Sequence, residues 1–224
     1  MTTTLITAAN RGIGLEFARQ YSNAGHRVLV TARPGADTSE LETLDVRLER
    51  LDVADAASVR DFAGRIGDEP IDLLINNAGY YANRAAFEEL DIESLIDSFH
   101  TNSLGAMRVT QALLPNLRRG EGKRIVQITS KMGSMADNGS GGSYAYRMSK
   151  AALNMFNTSL AIDLAPEGFL CVILHPGWVQ TRMGGESAPV AVEDSIAGMR
   201  RIIEELTPET SGRFFDYSGA EIGF

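Results

Sequence analysis

Short apolar runs alternate with longer helical patterns along the whole chain, and this alternation restricts the fold more than any other feature of the sequence. Runs such as Thr4–Thr7, Arg27–Ala32 and Phe169–His175 consist mainly of apolar and β-branched residues, and a helical pattern adjoins each one. Apolar strands separated by helices are typical of a parallel sheet covered on both faces. The sequence therefore predicts a doubly wound α/β fold.

The complete pattern predicts a single-domain, Rossmann-type fold with a seven-stranded, mostly parallel sheet and helices on both faces. A chain of 224 residues is long enough for one such domain and too short for a second domain of ordinary size, so we expect one domain over residues 1–224. The predicted strands are Thr4–Thr7, Arg27–Ala32, a run within Val46–Val53, Ile71–Asn76, Lys123–Ser130, Phe169–His175 and Gly212–Tyr217, and the predicted helices are Ile13–Asn23, Ala56–Ile66, Ile92–Leu117, Ser143–Leu164 and Val190–Leu206.

Charge and cysteine content exclude several classes of partner. The net charge of −8 argues against nucleic acid or an anionic membrane as the main partner. No apolar run approaches the ~18 residues that a membrane span needs, and the N-terminus lacks a signal-peptide pattern. Cys171 is the only cysteine, and neither it nor the histidines show metal-ligand spacing. We therefore expect a cytoplasmic protein with a small-molecule partner and no metal.

A glycine-bearing turn, TAANRGIG, joins the first strand to the first helix over Thr7–Gly14. Glycines at such a turn let backbone N–H groups approach a pyrophosphate, and the helix N-terminus favours its negative charge. Two glycines alone are weak evidence, because any strand-to-helix turn can carry them. The strand before and the helix after them favour a dinucleotide site.

The second strand ends without the acidic residue that bonds the ribose 2′-hydroxyl in NAD-binding sites. Ala32 takes that position, Arg33 follows it, and Arg11 precedes Gly12. Two guanidinium groups beside the adenosine ribose suit a 2′-phosphate, so this pattern favours NADP(H) over NAD(H). The alternative is that both arginines are ordinary surface residues.

The motif YRMSK places Tyr146 and Lys150 four residues apart, on one face of the predicted helix that follows the fifth strand. A phenol with a pKa near ~10 is a poor acid–base catalyst at neutral pH. A nearby ammonium group and a nicotinamide cation favour the phenolate, so we expect a lowered pKa for Tyr146. The phenol then exchanges a proton with a carbonyl or alcohol oxygen.

In their order, these motifs resemble the short-chain dehydrogenase/reductase family over nearly the whole chain, in the branch of the C-factor- and sniffer-like carbonyl reductases. The resemblance rests on TAANRGIG, Asp52, NNAG (Asn76–Gly79), Asn102, Ser130, YRMSK and PGWVQT (Pro176–Thr181). Ala8 stands where the family usually has a glycine. A negative φ would make this tolerable; a positive φ would cost roughly 1 kcal/mol.

The family's site residues carry over to matching positions. The resemblance implies a catalytic set of Asn102, Ser130, Tyr146 and Lys150, with Ser134 as a rival for the serine because the spacing from Ser130 to the tyrosine is longer than usual. It also implies a cofactor-binding core over about 1–180 and a short substrate-loop and C-terminal region over about 181–224. The predicted cofactor contacts are Thr7, Asn10, Arg11, Gly12, Ile13, Gly14, Arg33, Asp52, Val53, Asn77, Ala78, Gly79, Tyr146, Lys150, Pro176, Gly177, Val179 and Thr181.

The leading hypothesis is an NADP(H)-dependent oxidoreductase that acts on a carbonyl or alcohol substrate. Two alternatives remain at this point: an NADP(H)-binding regulatory or signalling protein of the C-factor type, and an epimerase or dehydratase. The epimerase is disfavoured because only 47 residues follow Gly177. The family also implies a homodimer or homotetramer that assembles through the two long helices.

Overall fold

The computed structural model describes residues 1–82 and 86–224. Residues 1–82 and 86–224 form seven strands and six α-helices, and apart from the two helices within Ile92–Arg119 their bounds lie within a few residues of those predicted. The strands are β1 (Thr3–Ile6), β2 (Arg27–Ala32), β3 (Arg47–Arg50), β4 (Leu73–Asn76), β5 (Arg124–Ile128), β6 (Leu170–His175) and β7 (Phe214–Asp216), and the helices are α1 (Gly12–Asn23), α2 (Ala56–Ile66), α3 (Ile92–Asn102), α4 (Leu104–Arg119), α5 (Tyr144–Leu164) and α6 (Val192–Glu204).

The strands form one sheet in the order β3-β2-β1-β4-β5-β6-β7, and every neighbouring pair is parallel. The register places Leu5 of β1 between Leu29 of β2 and Leu74 of β4. The order reverses at β1, where the chain crosses over to start the second half of the sheet at β4. Ligands bind outside the carboxyl ends of the strands at such a switch point.

Each face of the sheet has its own hydrophobic core. Leu5 and Ile6 are neighbours on β1 and point to opposite faces, as successive residues of a strand must. The core that contains Ile6 is closed by α1 and α6, with Phe17 and Met199 fully buried. The core that contains Leu5 is closed by α2, α4 and α5. The nearly continuous apolar strands are thus explained by burial on both faces.

The single helix predicted over Ile92–Leu117 is wrong: the structure has two helices, α3 and α4, that meet at Ser103. Ser103 has φ −115° and ψ −64°, and its Oγ donates to the Ser149 carbonyl at 2.7 Å. This contact ties the junction to α5. The break places Asn102 at the end of α3, whereas the sequence pattern had placed it in the middle of a helix.

None of the helices formed by residues 1–82 and 86–224 has the length and apolar character needed to cross a bilayer.

Candidate active site

The turn after β1 brings backbone from two strand ends into close contact. A β-carbon on Gly14 would lie 2.5 Å from Asn77 Nδ2 and 2.6 Å from the Ala8 carbonyl oxygen, so only glycine fits there. Gly12 has φ +53°, which glycine adopts without strain. Ala8 also has φ +53°, although its β-carbon disfavours this conformation. The departure from the family's glycine at Ala8 therefore does carry a conformational cost.

Thr7 and Asn77 join the ends of β1 and β4. Thr7 Oγ1 accepts hydrogen bonds from the backbone N–H groups of Asn77 at 2.9 Å and Ala78 at 3.0 Å. Asn77 Nδ2 donates in return to the carbonyl oxygens of Thr7 at 2.9 Å and Ala8 at 3.1 Å. The two motifs TAANRGIG and NNAG thus form one bonded unit at the switch point of the sheet.

Arg11 and Arg33 are both exposed at this edge of the sheet. Arg33 and Asp52 line the same cleft, between the end of β2 and the start of α2. Arg50, which the sequence analysis did not single out, donates from its guanidinium to the Arg33 and Ala36 carbonyl oxygens at 3.3 Å each, so it holds the loop that carries Arg33. Its position in an edge strand gave no signal in the sequence.

Several other predicted cofactor residues have structural contacts in this region. Asn10 Nδ2 donates to the Asp37 carbonyl at 3.1 Å, and Ile13 packs against the core under α1. Val53 is buried, and a β-carbon on Gly105 would lie 2.8 Å from its Cγ2, so glycine is required where α4 passes beneath Val53.

Tyr146 and Lys150 are buried together on the first turns of α5. The Lys150 ammonium lies 5.8 Å from the centre of the Tyr146 ring and donates to the Ile128 carbonyl at 2.9 Å. Burial lowers the pKa of Lys150 to about 8. Burial also raises the pKa of Tyr146 to about 12, with an opposing effect from Ser130 and a smaller raising effect from Tyr81. The sequence predicts a lowered pKa for Tyr146. In the protein without cofactor, this pKa is raised instead, because desolvation disfavours the charged phenolate.

The two candidate serines have different surroundings. Ser130 follows β5, is partly exposed and lies near enough to the Tyr146 phenol to lower its pKa, against the larger effect of burial. Its Oγ also accepts from the Met132 N–H at 3.2 Å. Ser134 is buried, and its Oγ donates to the Gly223 carbonyl at 2.5 Å while it accepts from the Asp137 N–H at 3.1 Å.

Asn102 is buried and forms hydrogen bonds with both the backbone N–H and the backbone carbonyl of Tyr80. Its Oδ1 accepts from the Tyr80 N–H at 2.7 Å, and its Nδ2 donates to the Tyr80 carbonyl at 2.8 Å and to Ser149 Oγ at 2.9 Å. Ser149 Oγ donates in turn to the Tyr146 carbonyl at 3.0 Å. Ser149 was missed by the sequence analysis. It lies inside YRMSK, where only Tyr146 and Lys150 stood out.

Gly79 lies next to Asn102 and Lys150. A β-carbon on Gly79 would be 3.7 Å from Asn102 Oδ1 and 3.7 Å from Lys150 Nζ. The end of NNAG therefore faces Asn102 and Lys150.

The segment after β6 reaches back to the glycine turn. Pro176 is buried, and Gly177 has φ +85° with Tyr217 so close that a β-carbon would lie 2.9 Å from its ring. Val179 is buried and forms a bridge with Val190. A β-carbon on Gly12 would lie 3.4 Å from Thr181 Cγ2. The predicted cofactor-binding residues after β6 and the predicted pyrophosphate turn are therefore neighbours in space.

A doubly wound parallel sheet, with a glycine turn at its switch point and a buried tyrosine–lysine pair beyond it, defines a Rossmann-type protein that binds a nicotinamide cofactor. The chain belongs to the short-chain dehydrogenase family, whose model matches residues 2–190. Among the described residues, no three His, Cys, Asp or Glu side chains are grouped so that they hold a metal ion.

Similar proteins place the chain in the C-factor- and sniffer-like branch of this family. It is 52% identical to the C-signal protein of Myxococcus xanthus over 164 residues, which cover 73% of this chain and 99% of that protein. It resembles the solved structure of the carbonyl reductase Sniffer of D. melanogaster, with a TM-score of 0.93, 32% identity and full coverage of both chains. An NADPH-bound carbonyl reductase from chicken fatty liver has a TM-score of 0.93 and 31% identity, covering 100% of this chain and 99% of that one.

Proposed function

We propose that this oxidoreductase depends on NADP(H), transfers a hydride between the nicotinamide and a carbonyl or alcohol substrate, and uses Tyr146 as general acid and base. The observation that carries the proposal is the burial of Tyr146 and Lys150 beside Ser130, Gly79 and Asn102, at the carboxyl edge of the sheet. When bound, NADP(H) supplies or accepts the hydride at C4 of its nicotinamide ring.

The chain's own residues handle the substrate oxygen and its proton. Because burial raises the pKa of Tyr146 to about 12, the phenol is protonated at neutral pH and can donate to a carbonyl oxygen that gains negative charge. Ser130 bonds the same oxygen and orients it. Lys150 places a positive charge near the phenol, which stabilises the phenolate left after donation. A protonated phenol is the form that donates in the reduction, and the phenolate is the form that accepts in the oxidation.

The residues of the glycine turn fit a dinucleotide with a 2′-phosphate. Gly12 and Gly14 leave the backbone open to a pyrophosphate, and the hydrogen bonds between Thr7 and Asn77 hold the turn to the end of β4. The exposed Arg11 and Arg33 bind the 2′-phosphate, with Asp52 and Val53 at the adenine and Pro176–Thr181 at the carboxamide. The NADPH in the chicken carbonyl reductase supports this choice for a similar fold.

The cofactor choice is tested with Arg11→Ala and Arg33→Ala. Loss of a charged hydrogen-bonding partner costs about 1.5–3 kcal/mol, so each variant should raise the KM for NADPH by about 10- to 100-fold and leave the KM for NADH nearly unchanged. Arg60→Ala, an exposed arginine of α2, is the control for a change in net charge. Equal effects on both nucleotides would contradict NADP(H) preference.

The catalytic role is tested by replacing Tyr146 with Phe and following NADPH consumption with a panel of ketones, aldehydes and quinones. We expect turnover to be lost while the affinity for NADPH is retained. Tyr144→Phe is the matched control, because Tyr144 is on the same helix turn without a basic residue at i+4. Full turnover by Tyr146→Phe, or a wild-type chain that binds neither dinucleotide, would refute the proposal.

A second candidate is a regulatory or signalling role, favoured by the 52% identity to C-signal. The same Tyr146→Phe variant separates the two functions in a cell that lacks the wild-type gene. If the biological effect disappears while NADPH binding persists, the effect depends on turnover. If it persists, the protein acts as a cofactor-binding regulator.

We also propose that the chain forms a homodimer or homotetramer through α4 and α5. Met148, Met155 and Ile162 recur every seven residues on the exposed face of α5, and Leu104 and Met107 are exposed on α4. An apolar stripe of this kind is typical of a helix that packs against another copy. Light scattering of the purified chain measures the assembly.

A further inference from the structure

We propose that Tyr81 is a positioning residue for the general acid Tyr146, acting both on its ring and on the start of the helix that carries it. This inference rests on the function proposed above. Tyr81 comes two residues after the NNAG turn, and its ring centre lies 4.8 Å from that of Tyr146 at an interplanar angle of 64°. Such an edge-to-face contact is a favourable geometry for aromatic pairs.

The Tyr81 hydroxyl contacts a second element of the site. It lies 3.1 Å from Ser143 Oγ, and Ser143 is the residue immediately before α5. Ser143 has φ +48° and ψ +41°, a left-handed conformation that non-glycine residues rarely adopt. A strained residue persists only where its surroundings hold it. Tyr81 is one of the groups that hold Ser143, three residues before Tyr146.

The backbone that carries Tyr81 is itself anchored to α5. Asn102 bonds both polar groups of the neighbouring Tyr80 peptide, and Ser149 links Asn102 to the Tyr146 carbonyl. Tyr81 therefore projects from a segment fixed relative to Tyr146. A side chain can position another only if its own backbone is held in place.

The contact also contributes to the burial of the phenol. Tyr146 is 9% exposed and Tyr81 is 38% exposed, so the ring of Tyr81 stands between Tyr146 and solvent on one side. Burial is the main cause that raises the pKa of Tyr146. Removal of the Tyr81 ring should admit water and bring that pKa down, whereas removal of the hydroxyl alone should remove only the smaller raising effect of the Tyr81 charge.

Two substitutions separate the two contacts. Tyr81→Phe keeps the ring and removes the bond to Ser143; Tyr81→Leu removes both contacts. With NADPH and 4-nitrobenzaldehyde, we expect kcat to fall by about 3-fold in Tyr81→Phe and about 10-fold in Tyr81→Leu, with the KM for NADPH unchanged. The alkaline limb of the kcat profile should move to lower pH further in Tyr81→Leu than in Tyr81→Phe, because burial is the larger cause of the raised pKa.

Rescue provides the control against a general loss of folding. Glycine adopts the left-handed conformation without support, so Ser143→Gly added to Tyr81→Phe should restore kcat. It should not restore kcat in Tyr81→Leu, where the ring contact is still missing. Melting temperatures of all variants check that the fold is intact.

The outcomes distinguish this inference from the proposed function. A wild-type chain without carbonyl turnover would refute the function and the role of Tyr81 together. A wild-type chain that reduces the aldehyde, with Tyr81→Leu keeping both kcat and the alkaline limb, would overturn only the role of Tyr81. Failure of Ser143→Gly to rescue Tyr81→Phe would overturn the part assigned to the hydroxyl.

Discussion

Replacement of Ala8 by glycine should be tolerated or stabilising, although glycine at most folded positions is destabilising. Ala8 has φ +53°, where a β-carbon costs roughly 1–2 kcal/mol. Two hydrogen bonds between the Ala8 backbone and neighbouring side chains hold this conformation. The Ala8 N–H donates to Thr31 Oγ1 at 3.1 Å, and the Ala8 carbonyl accepts from Asn77 Nδ2 at 3.1 Å. Glycine keeps both bonds and removes the atom that the conformation disfavours.

The size of the effect follows from opposing contributions. Relief of the left-handed strain contributes roughly 1–2 kcal/mol, whereas glycine's greater freedom in the unfolded chain costs roughly 0.5–1 kcal/mol. Loss of a partly buried methyl group costs a few tenths more. The net change in the free energy of unfolding for Ala8→Gly is therefore a gain between zero and about 1 kcal/mol.

A matched alanine in a helix isolates the strain. Ala197 is exposed in the middle of α6, so Ala197→Gly has no strain to relieve and should lose about 1 kcal/mol. The two variants should differ by about 1–2 kcal/mol, or roughly 2–8 °C in Tm for a chain of this length. Urea denaturation and calorimetry measure both. Equal losses in the two variants would refute the argument that Ala8 is strained.

Two further predictions concern Lys150 of α5 and the two candidate serines that precede this helix. Ser130→Ala should lower kcat by about 10²- to 10³-fold. Ser134→Ala should leave kcat nearly unchanged and lower the free energy of unfolding by about 1 kcal/mol, because the bond to the Gly223 carbonyl is lost. Steady-state kinetics and denaturation measure both variants, and the reverse ranking in kcat would assign catalysis to Ser134. Burial lowers the pKa of Lys150 to about 8, below ~10.4 in an unfolded chain, so Lys150 makes the unfolded state bind more protons between these values and contributes a rise in stability with pH. The Cys171 thiol, whose pKa burial raises to about 12, contributes the opposite slope. Lys150→Met should therefore make the slope of stability with pH more negative than in the wild type in urea denaturation, and the same slope in both proteins would contradict the shift.

The fold was predictable because its determinants are local. Strands such as β2 and β6 are apolar runs whose burial on two faces leaves a direct mark on the sequence. The order of the motifs then places the glycine turn, NNAG and YRMSK at strand ends or helix starts. The structure brings these motifs to one edge of the sheet because parallel strands have their carboxyl ends together.

Features that depend on distant residues were not predictable. The break between α3 and α4 is tied to α5 by the bond from Ser103 to the Ser149 carbonyl, 46 residues along the chain. The positive φ of Ala8 is held by Thr31 and Asn77, neither of which is adjacent in sequence. The raised pKa of Tyr146 depends on how deeply α5 is buried, which the YxxxK spacing does not encode.

Two residues with strained backbone conformations are also held by side chains that are distant in sequence. Among the described residues, Ala8, Lys123 and Ser143 are the non-glycine residues with positive φ. Ala8 lies in the turn before α1, and Ser143 lies immediately before α5, the helix of Tyr146. In both cases a side chain from a different strand end holds the strained residue: Asn77 bonds Ala8, and Tyr81 bonds Ser143.

Asn77 and Tyr81 both belong to the segment after β4, so one segment braces the turns in front of both site helices. Strain in these turns lowers stability, but it fixes the direction in which α1 and α5 leave the sheet. A hydride transfer requires the cofactor turn and the general acid to keep a fixed separation, since small displacements reduce the rate sharply. Under the proposed function, the segment after β4 therefore links the placement of the glycine turn to that of Tyr146 through its contacts with Ala8 and Ser143.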